Sequence, residues 1–419
     1  MIASYYTRNL CRVCGNRHLF PYLDLGNMPL ANNLEDTSEK ALHAQRYPLQ
    51  VAFCDICKLS QLTHVVDPEV LFKYYTYRSS INDGYKKHCR ELAEYLIEND
   101  YMNTLSFVID IAGNDGALLN EFRNAYNEER PSKLNMLNID PAENLCQIAE
   151  EKEIKSIPVF WNSKTAIDVI NNYGFSEVII STNVFAHVDD IKDFILGIKT
   201  ALSENGVWIL EFPYLVDLIE RNEFDTVYFE HVSYLSIHPV KYLCDEVGLK
   251  ICNIEKFSIH GGTVRLTISH NGSYHTVQDS VNEYLQREIN EGYTSKEKYS
   301  KWSSEVYWMM HEFTEQLLDI KRSGKKIASF AASAKGNTLL NSSRITNKTI
   351  DYIIDETPEK IGKFYPGTGI PIVDIKEIER NKPDYVVVLS WNFKEEIIEK
   401  LKKIYSGKFI IPIPKFEIC

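Results

Sequence analysis

The chain has 419 residues, of which 44% are hydrophobic and 25% charged, with a net charge of −12. This is ordinary globular composition, and the length calls for two or three cores rather than one. The acidic balance argues against a nucleic-acid partner. No stretch approaches the roughly 20 apolar residues of a membrane span, and "MIASYYTRNLCRVC" lacks a signal-peptide core. No membrane partner and a cytoplasmic location are therefore expected.

The first segment, residues 1–70, is turn-rich with short apolar runs, and would struggle to bury a core alone. It carries two CxxC pairs, Cys11/Cys14 and Cys54/Cys57. Four thiolates at these spacings suit tetrahedral zinc in a closed, structural site. A redox couple is the competing reading, and His18 or His43 could substitute as ligands. The other five of the nine cysteines are scattered, which fits a reducing compartment better than a disulfide framework.

Residues 71–274 alternate apolar strands with helices, the pattern of a parallel α/β sheet. The segment opens on "FKYYTYRSS", whose tyrosines read either as core packing or as a lid. In "DIAGNDGALL" a strand ending at Asp110 leads into Gly113, Asn114, Asp115 and Gly116 and then a helix. The following strand ends at Asp140, an acid placed to accept hydrogen bonds from ribose hydroxyls. GxGxxG spacing and a phosphate-binding GKS are both missing, so a nucleoside cofactor without phosphate, S-adenosylmethionine, fits better than a dinucleotide. An ordinary α/β turn has the same composition. Next, "STNVFAHVDD" puts Asn183 and His187 at a strand's C-terminal end, where a lone histidine is more often structural. In "TVYFEHVSYLS" the neighbours Glu230 and His231 would point oppositely on a strand but could share a pocket in a loop.

Residues 275–322 are charged and helical. Val281, Leu285 and Ile289 recur at four-residue spacing, which suggests a long helix or helix pair joining two lobes. Residues 323–419 return to the α/β pattern. There "SAKGNTLL" places Lys335, Gly336 and Asn337 at a helix start, a reasonable phosphate site, and Lys360 and Lys363 could join it. The loops at 111–119 and 332–340 echo one another; old duplication and two independent turns are equally open readings.

Taken in order, the two-CxxC module, "GNDGALL", "NVFAHV", "EFPYLVDLIERNEFDTVYFEHVSYLS", "HGGTVR", "AKGNTLL" and "DETPEKIGKFYPGTGIPIV" resemble one family over nearly the whole chain. It is the S-adenosylmethionine-dependent C-methyltransferases of deoxysugar biosynthesis, which act on nucleotide-linked 4-keto sugars. The resemblance implies a small zinc-binding domain, a central class I methyltransferase domain with a Rossmann-like sheet, and a C-terminal Rossmann-like α/β domain that helps hold the sugar nucleotide. It further implies that His231 is the base removing a proton beside the ketone. Tyr228, Glu230 and His187 would line that site, with Tyr77 approaching from a lid, while Lys335, Gly336 and Asn337 would bind substrate. The methyl group would go to C3, with C5 possible.

Two departures stand out. Phe229 occupies a position where the family commonly has histidine, which puts pocket polarity and substrate choice in question. Ala112 stands where the cofactor loop commonly has glycine. A non-catalytic sugar-nucleotide binder and an O-methyltransferase are the alternatives, with a nicotinamide-dependent dehydrogenase weaker for want of GxGxxG. The sequence leaves oligomeric state open.

Overall fold

A computed structural model describes residues 4–73, 78–81, 83–102, 106–129 and 135–419. Tyr77, the lid candidate, lies outside the described residues, as do Tyr74 and Tyr75.

The N-terminal unit is an antiparallel sheet of strands Leu19–Pro29, Arg46–Cys54 and Ser60–Leu62. A fourth strand, Ser233–Tyr234, comes from the middle of the chain: Ser233 pairs with Gln61 and Tyr234 with Ser60. The zinc-module sheet is thus completed by the residues that directly follow His231. Helix Lys296–Arg322 covers this sheet, stacking Tyr299 on Phe53 with ring centroids 4.5 Å apart.

The central sheet has seven strands among the described residues, in the spatial order Leu249–Phe257, Thr263–His270, Leu202–Pro213, Ser176–Thr182, Phe107–Ile111, Asn135–Ile139 and Ser156–Ile157. The last five run parallel, as the buried apolar runs require. Thr263–His270 is antiparallel to both of its neighbours, so the sheet is mixed rather than wholly parallel. The chain order reverses direction at Phe107–Ile111, which makes the loop after it a crevice for a ligand. Short polar side chains start the flanking helices. Asn162 accepts from the Thr165 amide at 2.8 Å, and Asp190 from the Asp193 amide at 3.1 Å.

The C-terminal sheet runs Ile372–Val373, Tyr352–Ile354, Ile327–Phe330, Tyr385–Val388, Lys408–Ile411 and Glu417–Ile418, parallel except for the last pairing. It reverses at Ile327–Phe330, and helix Ala334–Ser342 follows, capped by Ser333. The two echoing loops share geometry. Ala112 and Ala331 both have positive φ, at 56° and 75°. Asp140 accepts from the Asn114 amide and Asp355 from the Ala332 amide.

The connector is a helix pair, Asp279–Asn290 and Lys296–Arg322. Val281 is buried, but Ile289 is exposed, so the apolar stripe is shorter than its spacing suggests. No helix among the described residues is long and apolar enough to cross a membrane.

Candidate active site

A cavity of about 900 Å³ opens where the three units meet. Its walls come from the loop after Phe107–Ile111, the ends of the neighbouring parallel strands, the segment around His231, the start of helix Ala334–Ser342 and the N-terminal unit.

On one side lie Ala112, Gly113, Asn114 and Asp140. Asp140 is fixed by the amides of Asn114 at 2.9 Å and Ala142 at 2.8 Å. Gly113 is required by close approach: a Cβ there would lie 2.4 Å from Asp110 Oδ2 and 2.5 Å from Asn138 Oδ1. Phe160 and Trp161 also line the cavity. Asn183 also lines the cavity, and its buried Oδ1 has no hydrogen-bond partner. An acid held by amides, a bare loop, aromatic walls and a spare acceptor suit the ribose, base and amino-acid portions of S-adenosylmethionine.

Asp110, Asp115 and Gly116 do not line the cavity. Asp110 is buried beneath the loop, and burial, then the nearby Asp140 charge, pushes its carboxyl well above the usual range. Asp115 instead accepts from the Ser80 amide at 3.3 Å and pairs with Lys152 at 3.2 Å, tying the loop to its surroundings. Gly116 packs on Ile154 and Ala149 with φ of 74°.

The same cavity is lined by His187, Tyr228 and His231. The two imidazoles have centroids 5.0 Å apart, and Phe72 stacks on His187 at 5.5 Å. His231 Nδ1 lies 3.0 Å from the Thr226 carbonyl, and Nε2 lies 3.0 Å from the Tyr228 hydroxyl. A carbonyl only accepts, so Nδ1 carries the hydrogen and Nε2 presents its lone pair, accepting from Tyr228. Burial, then the neighbouring His187, holds His231 well below its ordinary value, and burial brings His187 down to about 4. Both rings are neutral at neutral pH.

Glu230 and Phe229 turn away from this group. Glu230 accepts from Asn32 at 3.0 Å, and burial raises its carboxyl. Phe229 packs edge-on against Tyr47 of the N-terminal sheet, with centroids 5.8 Å apart, and does not face the cavity. The tight turn after Tyr228 swings these two side chains toward the N-terminal unit and brings His231 back to the cavity.

Of the three substrate candidates in the C-terminal unit, Lys335 alone reaches the cavity. Gly336 packs against Leu389, and Asn337 is buried and donates to the Pro366 carbonyl at 3.0 Å. Lys360 is engaged by the Ala332 carbonyl and Asp355, and Lys363 by Asp36. Neither lines the cavity, which removes them from the expected phosphate set. Sequence reasoning missed Glu223, which lines the cavity 3.9 Å from Lys335. It also missed Asp189, which the N-terminal unit grips with Tyr6, Arg8 and Arg12. Trp161 had a legible signal, since it follows a short parallel strand at the same sheet edge.

The four expected cysteines come together. Their sulfurs all lie within 4.8 Å of one another, with Cys11–Cys57 at 3.3 Å and Cys14–Cys54 at 3.4 Å. These separations exceed a disulfide bond and match the edges of a small sulfur tetrahedron. The set fits zinc, and His18 and His43 are not part of it.

Three family models match the chain in order: "Putative zinc binding domain" over residues 11–72, "Methyltransferase domain" over 84–254, and "C-methyltransferase C-terminal domain" over 258–414. The C-methyltransferase NovU of Streptomyces niveus is 30% identical over 407 residues, covering 97% of this chain and 95% of that protein. Among solved structures, magnesium protoporphyrin IX methyltransferase (ChlM) from Synechocystis PCC 6803 with bound SAM covers 46% of this chain and 82% of its own, with 13% identity and a TM-score of 0.34. An S-adenosylmethionine-dependent methyltransferase from Clostridium acetobutylicum ATCC 824 covers 45% and 92%, with 13% identity and a TM-score of 0.34. With all three domain matches in sequence and a relative spanning almost its whole length, the chain belongs to the S-adenosylmethionine-dependent C-methyltransferases that carry an N-terminal zinc-binding domain.

Proposed function

We propose that the enzyme methylates a ring carbon beside the ketone, C3 ahead of C5, of a nucleotide-linked 4-keto-deoxysugar, with His231 as the base. The tautomer of His231 carries this reading: Thr226 occupies Nδ1, so Nε2 keeps its lone pair as a proton acceptor, which the Tyr228 hydroxyl holds until substrate displaces it. In this reading residues 1–70 hold zinc and 71–274 hold the methyl donor. Residues 275–322 connect, and 323–419 contribute to sugar-nucleotide binding.

The ketone acidifies its neighbouring C–H. His231 Nε2 takes that proton, and the bonding pair moves into the carbonyl, giving an enolate. Burial keeps the imidazole neutral, and so able to accept a proton, well below pH 6.5. The Tyr228 hydroxyl and the neutral His187 ring are the donors nearest to His231 for the developing oxyanion. Asp140, Asn114 and Asn183 line the same cavity and would hold S-adenosylmethionine, which supplies an electrophilic methyl group when bound. The mostly apolar walls keep water from the enolate. Zinc held by Cys11, Cys14, Cys54 and Cys57 would have four thiolate ligands and no open position, and so would serve the fold rather than the chemistry.

The test uses thymidine-diphosphate 4-keto-6-deoxyglucose in heavy water without a methyl donor. Wild-type enzyme should exchange one ring hydrogen beside the ketone, and His231→Ala should not. Exchange that persists in the variant removes His231 as the base. Wild-type enzyme that binds this probe without exchanging it sinks the enolate route and leaves O-methylation or simple binding.

A further inference from the structure

The wall between the central and C-terminal units holds a pair that the base chemistry does not use. Glu223 is 4% exposed, its Oε1 has no hydrogen-bond partner, and its Oε2 lies 3.9 Å from Lys335 Nζ. Both residues line the cavity. Among the described residues Lys335 Nζ donates no hydrogen bond; beside Glu223 it has the Trp391 ring, 5.1 Å away.

The surrounding backbone is shaped for this carboxylate. A Cβ on Gly261, whose φ is 90°, would sit 2.6 Å from Glu223 Oε2, so glycine is what lets the group lie there. A buried carboxylate oxygen without a donor is costly, and proteins seldom leave one unless something else satisfies it.

The separation of the other oxygen, Oε2, from Lys335 Nζ describes a group that would join the pair. At 3.9 Å the acid and amine are too far apart for a direct hydrogen bond. One oxygen at about 2.8 Å from each would bridge them, donating to the carboxylate and accepting from the ammonium. A hydroxyl does both. An ammonium group has no lone pair for Lys335 and meets its like charge.

The pair is also tied to the base. The Thr226 amide donates to the Glu223 carbonyl at 3.0 Å, and the Thr226 carbonyl accepts from His231 Nδ1. A single short turn, Phe224–Thr226, therefore fixes Glu223 relative to the base. Because the turn that orients the base also carries Glu223, the reacting ring is favoured over the nucleotide as the source of the group that Glu223 reads.

We propose that Glu223 and Lys335 are specificity residues that together bind the C3 hydroxyl of the keto sugar and reject a C3 amino group. This rests on the keto-sugar reading above and names the substrate class within it.

Calorimetry without methyl donor, at pH 8 where Glu223 is mostly ionised, compares thymidine-diphosphate 4-keto-6-deoxyglucose with its 3-amino-3-deoxy counterpart. Wild type should bind the hydroxyl sugar about tenfold or more tightly. Glu223→Gln should weaken the hydroxyl sugar by about tenfold. Lys335→Met should shift the preference toward the amino sugar, because the like charge is gone and an ammonium can take its place beside Glu223; a merely structural lysine would weaken both probes alike. Equal binding of the two probes by wild type, or an unchanged preference in Lys335→Met, overturns the proposal while leaving the keto-sugar reading intact. Failure of wild type to bind either probe overturns that reading and the pair's assignment with it.

Discussion

Arg12, between two zinc-binding cysteines in sequence, donates from its Nε to Asp189 Oδ1 at 3.0 Å, two residues beyond His187. The same guanidinium donates to the Leu62 carbonyl at 2.8 Å, and Arg8 reaches the other Asp189 oxygen at 2.9 Å. The Cys11–Cys14 loop therefore grips the turn that carries His187. Asp189→Asn and Arg12→Met should lower turnover by about tenfold or more by loosening His187, since small misplacements near a reacting centre are costly. Zinc content and the affinity for S-adenosylmethionine should hold. Unchanged turnover in both variants would mean that the grip has no bearing on catalysis.

The zinc site reaches the base by a second route. Ser60–Leu62 begins three residues after Cys57 and pairs with Ser233–Tyr234, and the Leu62 amide donates to the Val232 carbonyl at 3.0 Å. Metal analysis should find about one zinc per chain. Cys54→Ser should lose the metal, lower the melting temperature and abolish hydrogen exchange at the keto sugar, although no cysteine lines the cavity. Stable wild-type protein that contains no metal would refute the four-cysteine site.

What was readable in the sequence follows a physical line. Strand ends, loops and CxxC spacing are local patterns, and they pointed to the Gly113–Asn114 loop, Asp140 and the cysteine cluster, whereas His187 and His231 stood out only through the family resemblance. Side-chain direction within a loop is set by tertiary packing. Phe229 looked like a gate on substrate choice, yet it packs on Tyr47, and Glu230 was expected beside the base, yet it binds Asn32. Pairs such as Arg12–Asp189 and Glu223–Lys335 join residues more than a hundred positions apart, and no periodicity marks them.

The histidines give the enzyme a shifted acid limb. His231 sits well below its ordinary value because of burial and the adjacent His187, so the neutral base persists as pH falls through 6.5. The rate of hydrogen exchange should decline only below that point. Tyr228→Phe removes a hydroxyl that donates to Nε2 and so favours the neutral ring, and the limb should move up in pH while burial still keeps it below 6.5. Stability follows the same sign for His187, whose folded value is about 4. Its contribution is complete above pH 6.5 and is lost as pH falls toward 4. His187→Gln should flatten that part of the stability profile, and an unaltered profile would mean that the ring is not desolvated.

Gly113 tests the cofactor wall independently of the base. A methyl group there meets Asp110 and Asn138, which lie behind the loop in the core. The loop must shift outward, which disturbs the Asn114 amide that fixes Asp140. Gly113→Ala should weaken S-adenosylmethionine by about tenfold or more, while zinc content stays intact. Wild-type affinity in this variant would show that the loop does not hold the cofactor.

Glu223 allows a stability measurement that bears on its function. Burial raises its carboxyl from 4.5 to about 7, and the Lys335 charge only partly opposes this. The folded state therefore holds the proton more tightly than the unfolded chain does. The stability contributed by the protonated acid is complete below about pH 4.5 and is lost as pH rises through about 7. Glu223→Gln keeps the shape without the charge, so it should raise the melting temperature by roughly 2–6 °C at pH 8. At pH 5 it should change little. A residue that destabilises the fold at working pH, and whose removal also weakens substrate, is held in place for binding rather than for folding. Equal melting temperatures at both pH values would show that a neighbouring donor already satisfies the carboxylate, leaving no oxygen free for a sugar hydroxyl.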